Sequence, residues 1–293
     1  AGQGKSADTH DELRIMIIER FPAMGTTFEV HAADRSAIDR CRHLVDAAEQ
    51  RFSRFVPDSE LSRINREGEA TVSPDMRSIL TEAAELQRRT GGTFDIGVGS
   101  SVIGWGYDTT FADVIDRAEP SGHPASSAWR LCGDVVTLEA GTRIDLGGIA
   151  KGWIADRLVE DGHATVVSAG GDLRSVDPTL VVDVLDHEGS LAAEVPVGIG
   201  ALATSSRSRR TWMVADQRVH HLVDPRSMRP ADTPALSASA VAATATEAEA
   251  AAKAILLMGV DGLAWADDQP WIRDAIAVWH DVNVYGTLRR MAS

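Results

Sequence analysis

Cysteine is scarce: Cys41 and Cys132 are the only two in 293 residues, far apart and without CxxC spacing. That excludes a disulfide framework or a thiolate zinc site and fits a reducing compartment. No apolar run approaches the ~20 residues needed to span a bilayer. The opening AGQGKSADTHDEL is polar and has no hydrophobic region, so no signal peptide is visible. A cytoplasmic location is expected, although a chain starting at Ala1 leaves room for a removed leader. Positive charge is also in deficit, with 29 Lys and Arg against 43 Asp and Glu and a net charge of −14. With no basic stripe interleaved with aromatics, a nucleic-acid groove is excluded. A field of this sign repels anions, so an anionic ligand needs a local positive patch, which screening over roughly 8–10 Å lets act alone. There is no repeat of fixed period, no long low-complexity tract, no GxxxxGK[ST] and no GxGxxG. The GKS at Gly4–Ser6 lacks the upstream glycine and preceding strand of a phosphate-binding loop.

What is present is ordinary in bulk, 44% hydrophobic and 25% charged, and long enough for one large domain or two moderate ones. The chain is organised around RIDLGGIAKGWIADRL, residues 143–158. It reads as a strand end at Arg143 and Ile144, an acidic turn residue at Asp145, a glycine pair at Gly147 and Gly148, and a helix with Lys151 in its first turns. Glycines there let backbone approach a ligand. A helix start offers unpaired N–H groups and a positive dipole end to a phosphate. Lys151 adds a full charge, and Asp145 suits a ribose, a base edge or a metal. An ordinary strand-to-helix corner with a solvated lysine has the same pattern.

Strands are expected at 14–19 and 28–32, joined by a turn over residues 21–27 that includes Met24-Gly25-Thr26. Ile38, Cys41, Val45, Ala48 and Phe52 recur at helical spacing, and Ser59 and Ser73 stand where helices begin. The run 93–107, with Thr93, Phe94 and Asp95 at its head, is glycine-rich and aromatic, suited to wrapping a planar ligand or to a surface loop. Strand 164–168 ends in Gly170-Gly171-Asp172. Thr204 and Ser205 precede Arg207, Arg209 and Arg210, a combination that fits phosphate contacts or a solvated basic turn. His221 lies before an Asp224-Pro225 turn. Residues 246–258 form an alanine-rich helix whose Glu249 and Lys253 are spaced as a surface i, i+4 pair. Short strands are expected at 260–266, 275–280 and 282–288. Strands in pairs with helices between the pairs read as α+β, a largely antiparallel sheet with packed helices.

In this order, MGTTFEV, FSRFVPDSELSRIN, GGTFDIGVG with WGY, RIDLGGIAKGWIADRL, SAGGDLR, ATSS and HHLVDPRSMRP resemble the FAD:protein FMN transferase (ApbE-type) family. The resemblance runs from Met24 to about Gly259. It implies a T-fold-related, ApbE-like architecture, with residues 1–13 as a polar tail and 14–293 as one flavin transferase domain. It implies an enzyme that takes FAD and, with magnesium, moves its FMN half onto a Thr or Ser of a target flavoprotein, releasing AMP. By the same resemblance Met24, Phe55 and the Thr93–Asp95 region border the flavin and adenine. Asp145, Gly147, Gly148 and Lys151 meet the cofactor, Gly170 and Gly171 allow close approach, and Thr204 and Ser205 face the phosphates. His221 matches the histidine that activates the acceptor hydroxyl, and Asp145 and Lys151 complete the catalytic set.

Departures fall on the metal site. The family helix ADALATALFVLG supplies an aspartate and a threonine as ligands, joined by a backbone carbonyl. Aligned without gaps, AEAAAKAILLMG puts Glu249 and Lys253 at those positions, while Ala150 keeps the carbonyl. Glutamate can ligate magnesium at longer reach; an ammonium has donors and no acceptor. The family's TSG is Thr204-Ser205-Ser206, and a phenol near SRFVP is Phe55. An FAD carrier or sensor without transfer, or an FAD pyrophosphatase using water, are the alternatives. No DGxT[GS][AS] segment occurs, so the chain is not expected to flavinylate itself.

Overall fold

The computed structural model describes residues 16–121, 127–279 and 284–287. Strand β1 (Ile17–Ala23) and strand β2 (Thr26–Ala32) form a hairpin whose turn is only Met24-Gly25. Both turn residues have positive φ, 49° and 68°, the backbone of the two-residue turns that match strand twist. The expected longer turn therefore shrinks to two residues. Helix α1 (Arg35–Phe52) starts where the Asp34 carboxylate accepts the Ala37 N–H at 2.8 Å, and it buries Ile38, Cys41, Val45, Ala48 and Phe52 as their spacing requires. Ser59 and Ser73 cap α2 (Glu60–Glu67) and α3 (Pro74–Arg89).

Between the helices and the centre of the chain lie β3 (Glu69–Thr71), α4 (Gly99–Gly104), β4 (Trp129–Cys132) and β5 (Val135–Leu138). The three strands make a small sheet in the order β3-β5-β4. Arg143 and Ile144 do not end a strand: Arg143 makes an isolated bridge to Val98, and Asn65 occupies both the Ile144 N–H and its carbonyl at 2.8 Å. Side-chain amide bonds replace the ladder there. Helix α5 (Ala150–Glu160) then begins with Lys151 in its first turn.

The second half supplies most of the sheet. It contains β6 (Val166–Ala169), β7 (Asp172–Ser175), β8 (Val181–Leu185), β9 (Leu191–Pro196), β10 (Gly200–Ser206), β11 (Thr211–Val214), β12 (Gln217–His220), β13 (Val223–Asp224), β14 (Arg229–Pro230) and β15 (Ala235–Ala242). These are followed by α6 (Ala245–Met258), α7 (Gly262–Asp267), β16 (Ile272–Trp279) and β17 (Val284–Gly286). Eight strands pair antiparallel in the order β1-β2-β6-β7-β10-β15-β16-β17. The stretch 260–266 is helical rather than a strand: a 3-10 turn leads into α7, where Leu263, Trp265 and Ala266 pack on the cluster of Leu256 and Ile272. A short apolar run fits either period, and this one follows the helical one.

Helices α1, α5 and α6 lie on one face of the sheet, and the β8–β9 hairpin covers Leu202 and Val241 on the other. Small residues bring the helices close. A Cβ on Gly152 would stand 2.9 Å from the backbone of Ala245 and Thr246. At that crossing the Asp156 carboxylate accepts the Ala245 and Thr246 N–H groups, at 2.7 and 3.0 Å, capping α6 from another helix. Among the described residues no helix is long and apolar enough to cross a membrane.

Candidate active site

One end of the large sheet gathers the turns that the sequence singled out. The β6–β7 turn, Gly170-Gly171, has positive φ at both residues. It lies against the β1–β2 hairpin, and a Cβ on Gly170 would collide with Thr26 Oγ1. Gly170 is thus required by hairpin packing, whereas Gly171 has open space beside it. Met24, in the neighbouring turn, packs part-buried on the main core.

Lys151 sits at the helix-side of this end. Its Nζ donates to Asp172 Oδ2 at 2.8 Å and to Glu249 Oε1 at 2.6 Å. The two carboxylates hold its pKa well above the ordinary lysine value despite burial, which alone would lower it. Lys253 approaches from α6. Its Nζ donates to the Gly148 carbonyl at 3.0 Å and stands 3.9 Å from Glu249 Oε2. Glu249 and Lys253 are therefore not the expected surface pair, because α6 turns them inward and the Glu249 side chain is 1% exposed. Burial outweighs the carboxylates for Lys253, lowering its pKa, and raises that of Glu249; beside Lys151, Asp172 is lowered.

The glycine pair before α5 has a different use from the one expected. A Cβ on Gly148 would meet Lys253 Cε at 2.7 Å, so the space its missing side chain leaves is filled by the lysine stem. Gly147 donates its N–H to Asp145 Oδ1 at 2.7 Å. Asp145 Oδ2 accepts from Arg54 Nε at 2.9 Å, so this carboxylate holds an arginine and the turn. No side chain caps the N-terminus of α5.

Arg54 extends the site to an aromatic wall. Its guanidinium carbon lies 4.1 Å from the centre of the Phe55 ring and 4.7 Å from that of Tyr107. Phe55 and Tyr107 are 5.8 Å apart, and Tyr107 OH accepts from Arg210 Nη1 at 3.4 Å. The cluster of Val102, Trp105, Tyr107, Trp212, Val214 and Val219 fixes this wall against the β11–β12 hairpin. The His221 ring meets Tyr107 edge-on at 6.4 Å. His221 Nδ1 is buried without a hydrogen-bond partner. Burial first, then Arg210, His220, Lys253 and Lys151, push its pKa well below the usual histidine value. The imidazole is thus uncharged and weakly basic in the free protein. Asp224 does not orient it, being paired with Arg226 at 2.8 Å.

Other expected residues are dispersed. Asp95 Oδ1 accepts from Trp129 Nε1 at 3.1 Å and from Gly97 N–H at 2.7 Å, and Phe94 belongs to the main core. Thr93 is buried beside it. The three stabilise the turn after α3. Strand alternation divides Thr204 from Ser205. Ala201 and Ala203 face the helices and Leu202 the β8–β9 hairpin, so Ser205 shares the helix-side face and is 6% exposed. Thr204 Oγ1 pairs with Ser239 Oγ at 2.8 Å on the opposite face, while its N–H donates to Asp172 Oδ1 at 3.1 Å. Arg54, Tyr107 and Asp172 were not singled out as site residues, although they lie within the quoted motifs SRFVP, WGY and SAGGDLR; of the arginine cluster noted after Ser205, Arg210 reaches this wall.

Cationic side chains around a neutral histidine, at an end built from glycine turns, suit a diphosphate. The description of the ApbE family matches residues 24–276. The chain belongs to the ApbE family. Its relatives include the FAD:protein FMN transferase of Vibrio cholerae, 26% identical and aligned over 84% of this chain and 83% of that one. That of Treponema pallidum is 27% identical, over 92% and 82%. The ApbE fold itself is matched by the crystal structure of the ApbE protein from Thermotoga maritima, TM-score 0.84 at 24% identity, covering 95% of this chain and 99% of that one. The ApbE flavin transferase of Vibrio cholerae superimposes with TM-score 0.75 at 21% identity, with the same coverage.

The magnesium implied by the resemblance does not fit the residues present in this ApbE chain. Lys151 occupies Asp172 Oδ2 and Glu249 Oε1, and Lys253 occupies the Gly148 carbonyl. Among the described residues no group of three His, Cys, Asp or Glu could hold a metal ion.

Proposed function

We propose that the chain binds FAD at this end of the sheet as an FAD:protein FMN transferase, passing the FMN half to a Ser or Thr hydroxyl of a target flavoprotein. The acceptor oxygen attacks the FMN-side phosphorus, and the bond from that phosphorus to the bridging oxygen breaks. AMP leaves with the bridging oxygen, and the hydroxyl proton goes to His221. One observation carries the reading: an uncharged imidazole with a free Nδ1 lies within electrostatic reach of Lys151, Lys253 and Arg210.

Attack on a diphosphate needs its charge neutralised and the nucleophile's proton removed. Lys151 and Lys253 supply the first, with the uncapped start of α5 beside them. His221 supplies the second. In the free protein burial, with the surrounding cations, keeps it unprotonated; a bound diphosphate offsets those cations and raises its basicity where the proton must be taken. Phe55, Tyr107 and Arg54 offer a flat surface for one of the two ring systems of FAD, with Met24 and Gly171 bordering the opening. Asp145 is a positioning residue, acting through Arg54 and the turn before α5.

The test is incubation of the purified chain with FAD and a flavoprotein acceptor domain, followed by intact-mass measurement and nucleotide analysis. FMN-modified acceptor with AMP in equal amount is the expected result. Free FMN with AMP and an unmodified acceptor would instead mean hydrolysis, and unchanged bound FAD a carrier.

A further inference from the structure

Taking the transferase reading as given, we propose that the Lys253 ammonium stands where a divalent cation would be held, so that this chain handles the diphosphate of FAD without a metal. Oxygen atoms around the two lysines are already engaged, one of the expected Glu249 ligand among them. Glu249 Oε1 and Asp172 Oδ2 accept from Lys151, Asp172 Oδ1 accepts from the Thr204 N–H, and the Gly148 carbonyl accepts from Lys253. The remaining carboxylate oxygen, Glu249 Oε2, has no hydrogen-bond partner and faces Lys253 Nζ at 3.9 Å. Magnesium requires near-octahedral oxygen coordination at about 2.0–2.1 Å. Lysine has no lone pair to contribute once protonated.

Charge leads to the same result. Two ammoniums, Lys151 and Lys253, face two carboxylates, Asp172 and Glu249, so the cluster is neutral as it stands. In the ligand-free protein a dication would add two uncompensated charges to a buried region that already holds two cations. Lys253 is nevertheless not sealed in, since its side chain is 20% exposed. Its ammonium spends one N–H on Gly148 and keeps others for a diphosphate oxygen. The stem is held against Gly148 Cα, which fixes the charge in place before any ligand arrives. A compact positive charge held in this way serves a phosphate as a metal ion does, by neutralisation.

The experiment uses the full chain treated with EDTA. FAD affinity is measured by flavin fluorescence in EDTA and in millimolar magnesium, and Mn2+ uptake is followed by electron paramagnetic resonance. The expected dissociation constant for FAD differs by less than about twofold between the two conditions, and no protein-bound Mn2+ is seen; such a ratio is under a third of the energy of a tenfold change. Lys253→Met, which keeps the stem against Gly148, should weaken FAD binding by about tenfold or more, the scale of one charge-assisted hydrogen bond. Lys253→Thr with Glu249→Asp should create Mn2+ uptake. Stoichiometric Mn2+ on the wild-type chain would overturn the inference without reference to any variant, as would FAD binding that collapses in EDTA or fails in both conditions. Transfer that occurs only with metal sinks this inference and leaves the transferase reading intact. Metal-free FAD binding with no labelled acceptor does the reverse.

Discussion

Replacing Lys151 by methionine isolates the buried charge cluster most directly. At an effective dielectric of about 20, each of its two contacts, at 2.8 and 2.6 Å, corresponds to roughly 6 kcal/mol of Coulomb attraction before desolvation is counted. Desolvation of three buried ions offsets much of that, and removing one partner of a buried pair costs about 3–5 kcal/mol in practice. Lys151→Met should therefore lower the unfolding free energy by about 4 kcal/mol, on the order of 10 °C in Tm for a chain this long. The loss arises from stranding Asp172 and Glu249 with only Lys253 between them. Two further measurements separate that cause from lost packing. Adding Glu249→Gln removes the stranded charge, so the double variant should recover at least about half of the loss. Acidification should help Lys151→Met as well. A stranded carboxylate has a folded-state pKa above its unfolded value, so the folded state binds the extra proton and stability rises as pH falls from about 8 toward 5. Urea unfolding of the four proteins of the cycle at several pH values provides the numbers. A Lys151→Met variant within about 1 kcal/mol of wild type, or a double variant no better than the single one, would refute the charge-cluster reasoning.

His221→Ala should reduce transfer by about 10²–10⁴-fold, the usual worth of a general base, while FAD affinity measured by fluorescence changes little. In NMR titrations the His221 ring should titrate well below the ordinary histidine value in the free protein, as burial among cations dictates. It should move upward when ADP is added; an unchanged midpoint would place the diphosphate elsewhere. Asp156→Asn should destabilise the fold by about 1–3 kcal/mol, because an amide has one acceptor oxygen for the α6 N–H groups, Thr246 Oγ1 and Arg174 that Asp156 now serves with two. Denaturant melts would detect that loss. Glu82 has its pKa pushed up to about 7, chiefly by burial. Because the folded value exceeds the unfolded one, wild-type stability should fall as pH rises from about 4.5 to 7, and Glu82→Gln should be about 1–2 kcal/mol more stable than wild type at pH 8. Parallel pH–stability curves for the two proteins would contradict it.

The fold was readable wherever one local rule settled the element. Ser59 and Ser73 cap helices where their side chains reach back to the chain, and the five apolar residues of α1 all point inward. The rule failed where tertiary partners replaced local ones. Asn65 supplies the hydrogen bonds that Ile144 was expected to find in a ladder. The run after Gly259 has an apolar content that fits either period, and its choice of helix is made by the cluster it joins. Alanine explains a further difference. In α6 it indicated helix correctly, but alanine on every side let most of the helix bury between α5, β10 and β15. Glu249 and Lys253 were carried inward with it, so a spacing that elsewhere describes a solvated pair describes a buried one.

The site divides along the same line. Residue types visible in the motifs, Lys151, Gly148, Gly171, His221 and Phe55, lie at or beside the proposed pocket. What each does there depends on a partner remote in sequence. Asp145 was expected to touch a ligand and instead holds Arg54, 91 residues away. Gly148 was expected to admit a ligand and admits Lys253, 105 residues away. Thr204 and Ser205 show the simplest form of the problem, since adjacency in a strand guarantees opposite faces. The lysine substitution was visible as a departure, but its sense was not. A lysine replacing a metal ligand is a defect if its ammonium is free to repel a dication, and a substitute if it is already bonded where the dication would sit. Only the contacts to Gly148 and Glu249, together with the second ammonium of Lys151 that completes the charge balance, favour the substitute.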